Sequence, residues 1–104
     1  MQRESAIFRA LGDPSRLAIF ESIARREAPV KELTAQFRIS QPAVSQHLAA
    51  LRKAGLVTVR RDGRLAYYGL KSSGLKPLAD WLSHFQAFWP ERIGRLNALL
   101  KEVD

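Results

Sequence analysis

Cysteine is absent from all 104 residues, which excludes a disulfide framework, a thiolate metal site and a thiol redox switch. Long apolar runs are missing too. No stretch approaches the roughly 20 apolar residues of a membrane-spanning helix, and the opening Met-Gln-Arg-Glu-Ser holds no apolar signal region. These absences predict a cytoplasmic protein that spans no membrane. Internal repeats, low-complexity runs and long linkers are lacking as well. Length and a 46% hydrophobic content then predict one domain over residues 1–104. Catalysis has little to stand on, because cysteine is absent and the serines lie at a cap, on an exposed helix face or in turns, so no nucleophile arrangement can be proposed. No enzymatic activity is expected.

Negative charge is the scarcer sign. Ten acidic residues face 17 basic ones, for a net charge of +7, and the pI is near 10.6. Arginine supplies 12 of the 17, and its planar fork meets phosphate at two points. Nucleic acid is therefore the first partner to consider, and an anionic membrane surface the second.

Helical periodicity fills the first half of the chain. Ile7, Phe8 and Leu11 mark a first helix, which Gly12 is placed to end. Asp13 can cap a second, with Pro14 in the first helical position, where no amide donor is needed. Its expected buried stripe is Leu17, Phe20, Ile23 and Ala24, with Ile19 beside it. Pro29 opens a third helix in which Val30, Leu33, Thr34 and Phe37 follow the spacing of one buried face. Arg38-Ile39-Ser40 separates it from a fourth, "SQPAVSQHLAALRKAGLV", capped by Ser40 and ended by Gly55. Because Pro42 lacks an amide hydrogen, the serine oxygen must serve Ala43. Ile39 and Val44 stand where a hydrophobic staple forms. Val44, Leu48 and Leu51 make the core stripe, and His47 reads as a packed structural residue.

Two helices joined by so short a turn describe a helix-turn-helix over about residues 30–54. Next comes "LVTVRRDGRLAYYGL", two β-rich runs around Asp62-Gly63, over about residues 56–70. With those two as the loop, Arg61 faces Arg64, Val59 faces Ala66 and Val57 faces Tyr68. The predicted fold is therefore mainly α with a two-stranded β-hairpin wing, a winged helix-turn-helix. Helical spacing resumes over about residues 73–103. Leu75, Leu78, Leu82, Phe85 and Trp89 form a stripe widened by Trp81 and Phe88; after Pro90, Ile93, Leu96, Leu100 and Val103 form another. One small domain cannot cover so much apolar surface, which predicts a homodimer joined through Ile7, Phe8, Leu11 and the first of these stripes.

The outer face of the fourth helix is the candidate DNA reader. Gln41, Ser45 and Gln46 project from its N-terminal half, where a recognition helix reaches base edges, with Ser40 beside them at the cap. Glutamine can pair with adenine at two points. Arg52 and Lys53, near the other end, suit phosphate. Arg60, Arg61 and Arg64 surround the hairpin tip and suit a groove or phosphate, and such charges also protect an edge strand from aggregation.

The blocks "ALGDPSRLAIFESI", "VKELTAQFRISQPAVSQHLAALRKAGLV" and "RRDGRLAYYGL" together resemble the ArsR family of bacterial repressors, over about residues 6–70. The resemblance implies a dimeric winged helix that reads DNA with the positions of Gln41, Ser45 and Gln46 and pairs through its first and post-wing helices. The end, "WLSHFQAFWPERIGRLNALL", is similar to a subgroup without the family's metal sites. The cysteine pair of the metal-sensing members is replaced here by Glu32-Leu33-Thr34-Ala35-Gln36. At a second family site Asp80 and His84 could offer two ligands, but Ile93 and Leu96 offer none; two such pairs could close a four-ligand site only across a dimer axis, and the simpler reading is a helix-stabilising Asp-His pair. No metal and no cofactor are expected.

Taken together, the sequence predicts a sequence-specific regulator of transcription that binds double-stranded DNA at a palindromic operator, a promoter-occupying repressor or autorepressor. A small-molecule or protein effector is left unidentified. The alternative is a winged-helix interaction module that holds another protein through its aromatic C-terminal helices.

Overall fold

A computed structural model describes residues 2–85. Helices α1 (Gln2–Leu11) and α2 (Pro14–Arg25) lead into a two-residue strand β1 (Ala28–Pro29), followed by α3 (Val30–Phe37) and α4 (Gln41–Lys53). The hairpin strands β2 (Val57–Asp62) and β3 (Leu65–Leu70), a 3-10 turn (Ser72–Leu75) and α5 (Lys76–Ser83) complete this part of the chain. Trp89, with Phe88, Pro90, Ile93, Leu96, Leu100 and Val103, lies outside the described residues.

Local chemistry sets the helix ends. Asp13 accepts a hydrogen bond from the Arg16 amide at 2.9 Å, and Ser40 Oγ accepts one from Ala43 at 3.2 Å, each followed by a proline in the first turn. At the other end of α4, Gly55 takes φ +78. Its amide reaches Arg52 at 3.0 Å and the Leu56 amide reaches Leu51 at 3.0 Å. This paired closure satisfies carbonyls that a helix end would otherwise leave open. Leu51 and Leu56 are both 0% exposed, so the same turn contributes an apolar contact.

The core joins α1, α2, α3 and α4 through Ile7, Ile19, Phe20, Ile23, Leu33, Val44, Leu48 and Leu51. Ile39 is partly buried and packs against this core. On α2 the buried stripe differs from expectation. Ile19, Phe20 and Ile23 are buried, whereas Leu17 and Ala24 are exposed. Both stripes have three- and four-residue steps, so spacing alone leaves the rotation of a helix about its axis open, and packing sets it.

The sheet has three strands in the order β1-β3-β2, all antiparallel, so the expected two-stranded wing gains a third strand at its root. Ala28 pairs with Tyr68 and Pro29 with Tyr67. The hairpin register also departs from expectation: Asp62 faces Leu65, Arg61 faces Ala66, Arg60 faces Tyr67 and Val59 faces Tyr68. The loop is therefore Gly63-Arg64, not Asp62-Gly63. A turn built on Asp62-Gly63 needs positive φ at both residues, and only Gly63 has it, at +63.

Candidate nucleic-acid interface

Helix α4 lies with Val44, Leu48 and Leu51 in the core at 0%, 1% and 0% exposure. Its opposite face must then be wet. Ser40, Gln41, Ser45, Gln46, Arg52 and Lys53 are all exposed there. Arg52 and Lys53 lie in the last turn, where positive charge also suits the helix dipole. His47 sits between the two faces. It is half-buried, and its Nδ1 accepts a long hydrogen bond of 3.5 Å from Arg16 Nε. Arg16 Nη1 also reaches the carbonyl of Ala10 at 3.4 Å. One guanidinium thus ties α1, α2 and α4 together. The Arg16 amide holds the Asp13 carboxyl below its ordinary pKa.

Strand alternation divides the arginines of the wing. Val57, Val59 and Arg61 share one face of β2, with Ala66 and Tyr68 beside them on β3. That face turns toward α4: Tyr68 lines a cleft with Ser45, Leu48, Ala49, Arg52 and Lys53. Tyr68 was not among the expected site residues. Strand alternation puts it on the Val57 and Val59 face in either register, and the packing of the wing against α4 brings that face to the cleft. Arg64 occupies the exposed loop tip. Arg60 points to the other face, where it grips Glu27 and covers the Tyr67 ring at 4.7 Å. The structure therefore sets Arg61 and Arg64 apart from Arg60.

The residues expected at a dimer interface also divide. Ile7 is 2% exposed inside the monomer, because its side chain enters the core rather than facing outward. Leu11, Leu75 and Leu78 pack against the same core. Phe8 and Leu82 remain exposed at 46% and 54%. Phe8 meets Trp81 edge-on at 5.2 Å, and Trp81 meets Phe85 at 4.8 Å, so α1 and α5 share an aromatic ridge.

Asp80 lies in α5 and His84 caps its end. The His84 Nδ1 lies 2.9 Å from the backbone oxygen of Asp80. Among the described residues no three His, Cys, Asp or Glu side chains stand together in a ligand group.

The signature of the bacterial regulatory protein arsR family matches residues 13–59. The chain is 45% identical over 69 residues to a transcriptional repressor SmtB homolog of Synechocystis, a match covering 66% of this chain and 52% of that protein. It is 35% identical over 86 residues to the transcriptional activator HlyU of Vibrio cholerae, covering 79% of this chain and 80% of that one. In three dimensions it resembles an ArsR-like transcriptional regulator from Rhodococcus, with a TM-score of 0.75 and 26% identity over 94% of this chain and 92% of that one. The chain therefore belongs to the arsR family of bacterial regulatory proteins, DNA-binding transcriptional regulators rather than enzymes.

Proposed function

We propose that this protein is a repressor that occupies a promoter by reading a palindromic operator with α4. The carrying observation is the exposed set Gln41, Ser45 and Gln46 on a helix whose other face is locked into the core. Polar side chains with both donors and acceptors, held rigidly on one helix, suit base edges in the major groove. Arg52, Lys53, Arg61 and Arg64 would neutralise phosphates on either side. Repression then needs no chemistry, because a bound dimer excludes other proteins from the promoter. The word repressor in the name of the Synechocystis relative supports this reading, and the HlyU relative, named an activator, marks what has to be tested.

The proposal includes a homodimer. Two recognition helices about 34 Å apart would enter successive major grooves on one side of the duplex. The exposed Phe8 and Leu82 on the α1/α5 ridge suit such an interface. It also includes a cytoplasmic site of action; no helix among the described residues is long and apolar enough to cross a membrane. An effector would be a small molecule or a protein that favours a dimer with the wrong helix spacing. The same aromatic ridge carries the second reading, a module that holds another protein. Selection of genomic fragments by the purified protein, followed by footprinting and a reporter assay, separates these. One recovered palindrome whose reporter falls silent supports repression; a reporter that rises makes the protein an activator; no enriched fragment favours the interaction module.

A further inference from the structure

Arg60 is the most heavily engaged side chain of the wing. Its Nη2 donates to Glu27 Oε1 at 2.6 Å, and its Nε donates to the same oxygen at 3.0 Å and to Oε2 at 3.3 Å. The guanidinium lies over the Tyr67 ring at 4.7 Å and has Asp62 at 3.7 Å. Glu27 immediately precedes β1, on the far side of β3 from Arg60, so the pair crosses the whole width of the sheet. The space it crosses is kept open by Gly69, where a Cβ would come within 3.3 Å of the Glu27 Cβ. A second hold, the strand pairing of Ala28 and Pro29 with Tyr68 and Tyr67, is only two residues long. A ladder that short fixes an angle poorly by itself.

We propose that Glu27 is a positioning residue for the wing: it holds Arg60 on the outer face of the sheet as a strut that sets the wing's angle, and keeps it off the DNA backbone. The inference rests on the DNA-binding reading for its consequence, though not for its geometry. Three features carry it. The grip uses two guanidinium nitrogens, the arrangement with most directional content in an ion pair. Tyr67 supports the fork from below, so the side chain is held at two points. Strand alternation places Arg60 on the opposite face from Arg61, Val59 and Tyr68, away from α4. The Glu27 carboxyl is correspondingly held below its ordinary pKa, first by its hydrogen bond from Arg60. The wing thus presents Arg61 and Arg64 to a duplex, and Glu27 decides where they stand.

The test exchanges the charges in the full chain. Arg60→Glu places two carboxylates together, Glu27→Arg places two guanidiniums together, and the double exchange restores opposite charges at unchanged net charge. Amide hydrogen exchange along β3 is read in the free protein, and duplex affinity is read across a salt series. The strut predicts exchange up to about fivefold faster in each single variant, the range of an exposed ion pair, and recovery in the double variant. It also predicts that the double variant binds DNA within about twofold of wild type with an unchanged salt slope. If Arg60 instead met a phosphate, the double variant would stay as weak as Arg60→Glu and its slope would fall by about 0.9. That result overturns the proposal, as do unchanged exchange rates in both single variants. A wild-type chain that binds no duplex removes the proposed function, and the exchange rates then decide the strut alone.

Discussion

Substitution of Gly74 by alanine tests how the post-wing segment is anchored to the end of α4. A Cβ at Gly74 would overlap the carbonyl oxygen of Gly55 and stand 2.9 Å from its carbon and 3.3 Å from Leu56 Cα. Those atoms are all backbone, so no rotamer change relieves the clash. The 3-10 turn must shift outward to reach ordinary contact distances, and that strains the Lys71 amide bond to the Leu56 carbonyl, now 2.9 Å. Overpacking of this kind costs about 1–3 kcal/mol, and a weakened backbone bond about 1 more. Gly74→Ala should therefore lose roughly 2–4 kcal/mol of unfolding free energy. Gly55→Ala is the control: its φ of +78 is unfavourable for alanine, but nothing lies within 4 Å of the new methyl group. That substitution should lose only about 1–2 kcal/mol. Urea titration of both variants measures the difference, with a constant m-value showing that the unfolded state is unchanged. A Gly74→Ala midpoint equal to wild type would refute the close backbone packing that joins α5 to the recognition helix.

Other expectations follow from single groups. Because the folded-state pKa of Asp13 is depressed, its contribution is complete above the ordinary carboxylate range and disappears as pH falls through the depressed value. Asp13→Asn should therefore flatten the acid limb of a Tm-against-pH curve, and an unchanged limb would contradict the cap. Leu82→Glu, at a position 54% exposed in the monomer, should shift the protein toward monomer at micromolar concentration in sedimentation while leaving its thermal unfolding cooperative. Zinc added to a protein–operator complex should not release the DNA, since His84 is turned to a backbone oxygen; stoichiometric release abolished by His84→Ala would restore a metal site across the dimer.

Much of the fold can be read from residues whose effect is local. Asp13 and Ser40 announce their helices, Gly55 ends one, and the stripe Val44, Leu48, Leu51 is unambiguous because Gln, Ser, Arg and Lys fill the other face. What escapes is set by distant partners or by weak marks. A two-residue strand at Ala28–Pro29 is too short to carry a period, and Pro29 reads as a helix start, which it also is. Arg38 takes the left-handed conformation, φ 55, where glycine or asparagine would have signalled it. The hairpin loop moved by one residue, since Asp-Gly and Gly-Arg both allow a tight turn around Gly63. That slip left each residue on its expected face but changed every partner across the hairpin. Glu27 and Arg60 are 33 residues apart, and a charge run at the wing tip gives no sign that one of its arginines is already paired. On the candidate reading face, the exposure of Gln41, Ser45 and Gln46 was legible because the apolar stripe Val44, Leu48, Leu51 fixes which side of α4 enters the core; that this face reads bases is the proposal.

The most direct test of the central claim compares wild type with Gln46→Ala on the selected operator and on a random duplex, each across a salt series. If α4 reads bases, the wild type weakens steeply with salt on both duplexes, and Gln46→Ala loses roughly 1–3 kcal/mol on the operator alone. Its affinity for the random duplex and its salt slope stay those of wild type. Equal losses on the two duplexes, or an operator affinity that Gln46→Ala leaves intact, would place the reading surface elsewhere on the protein.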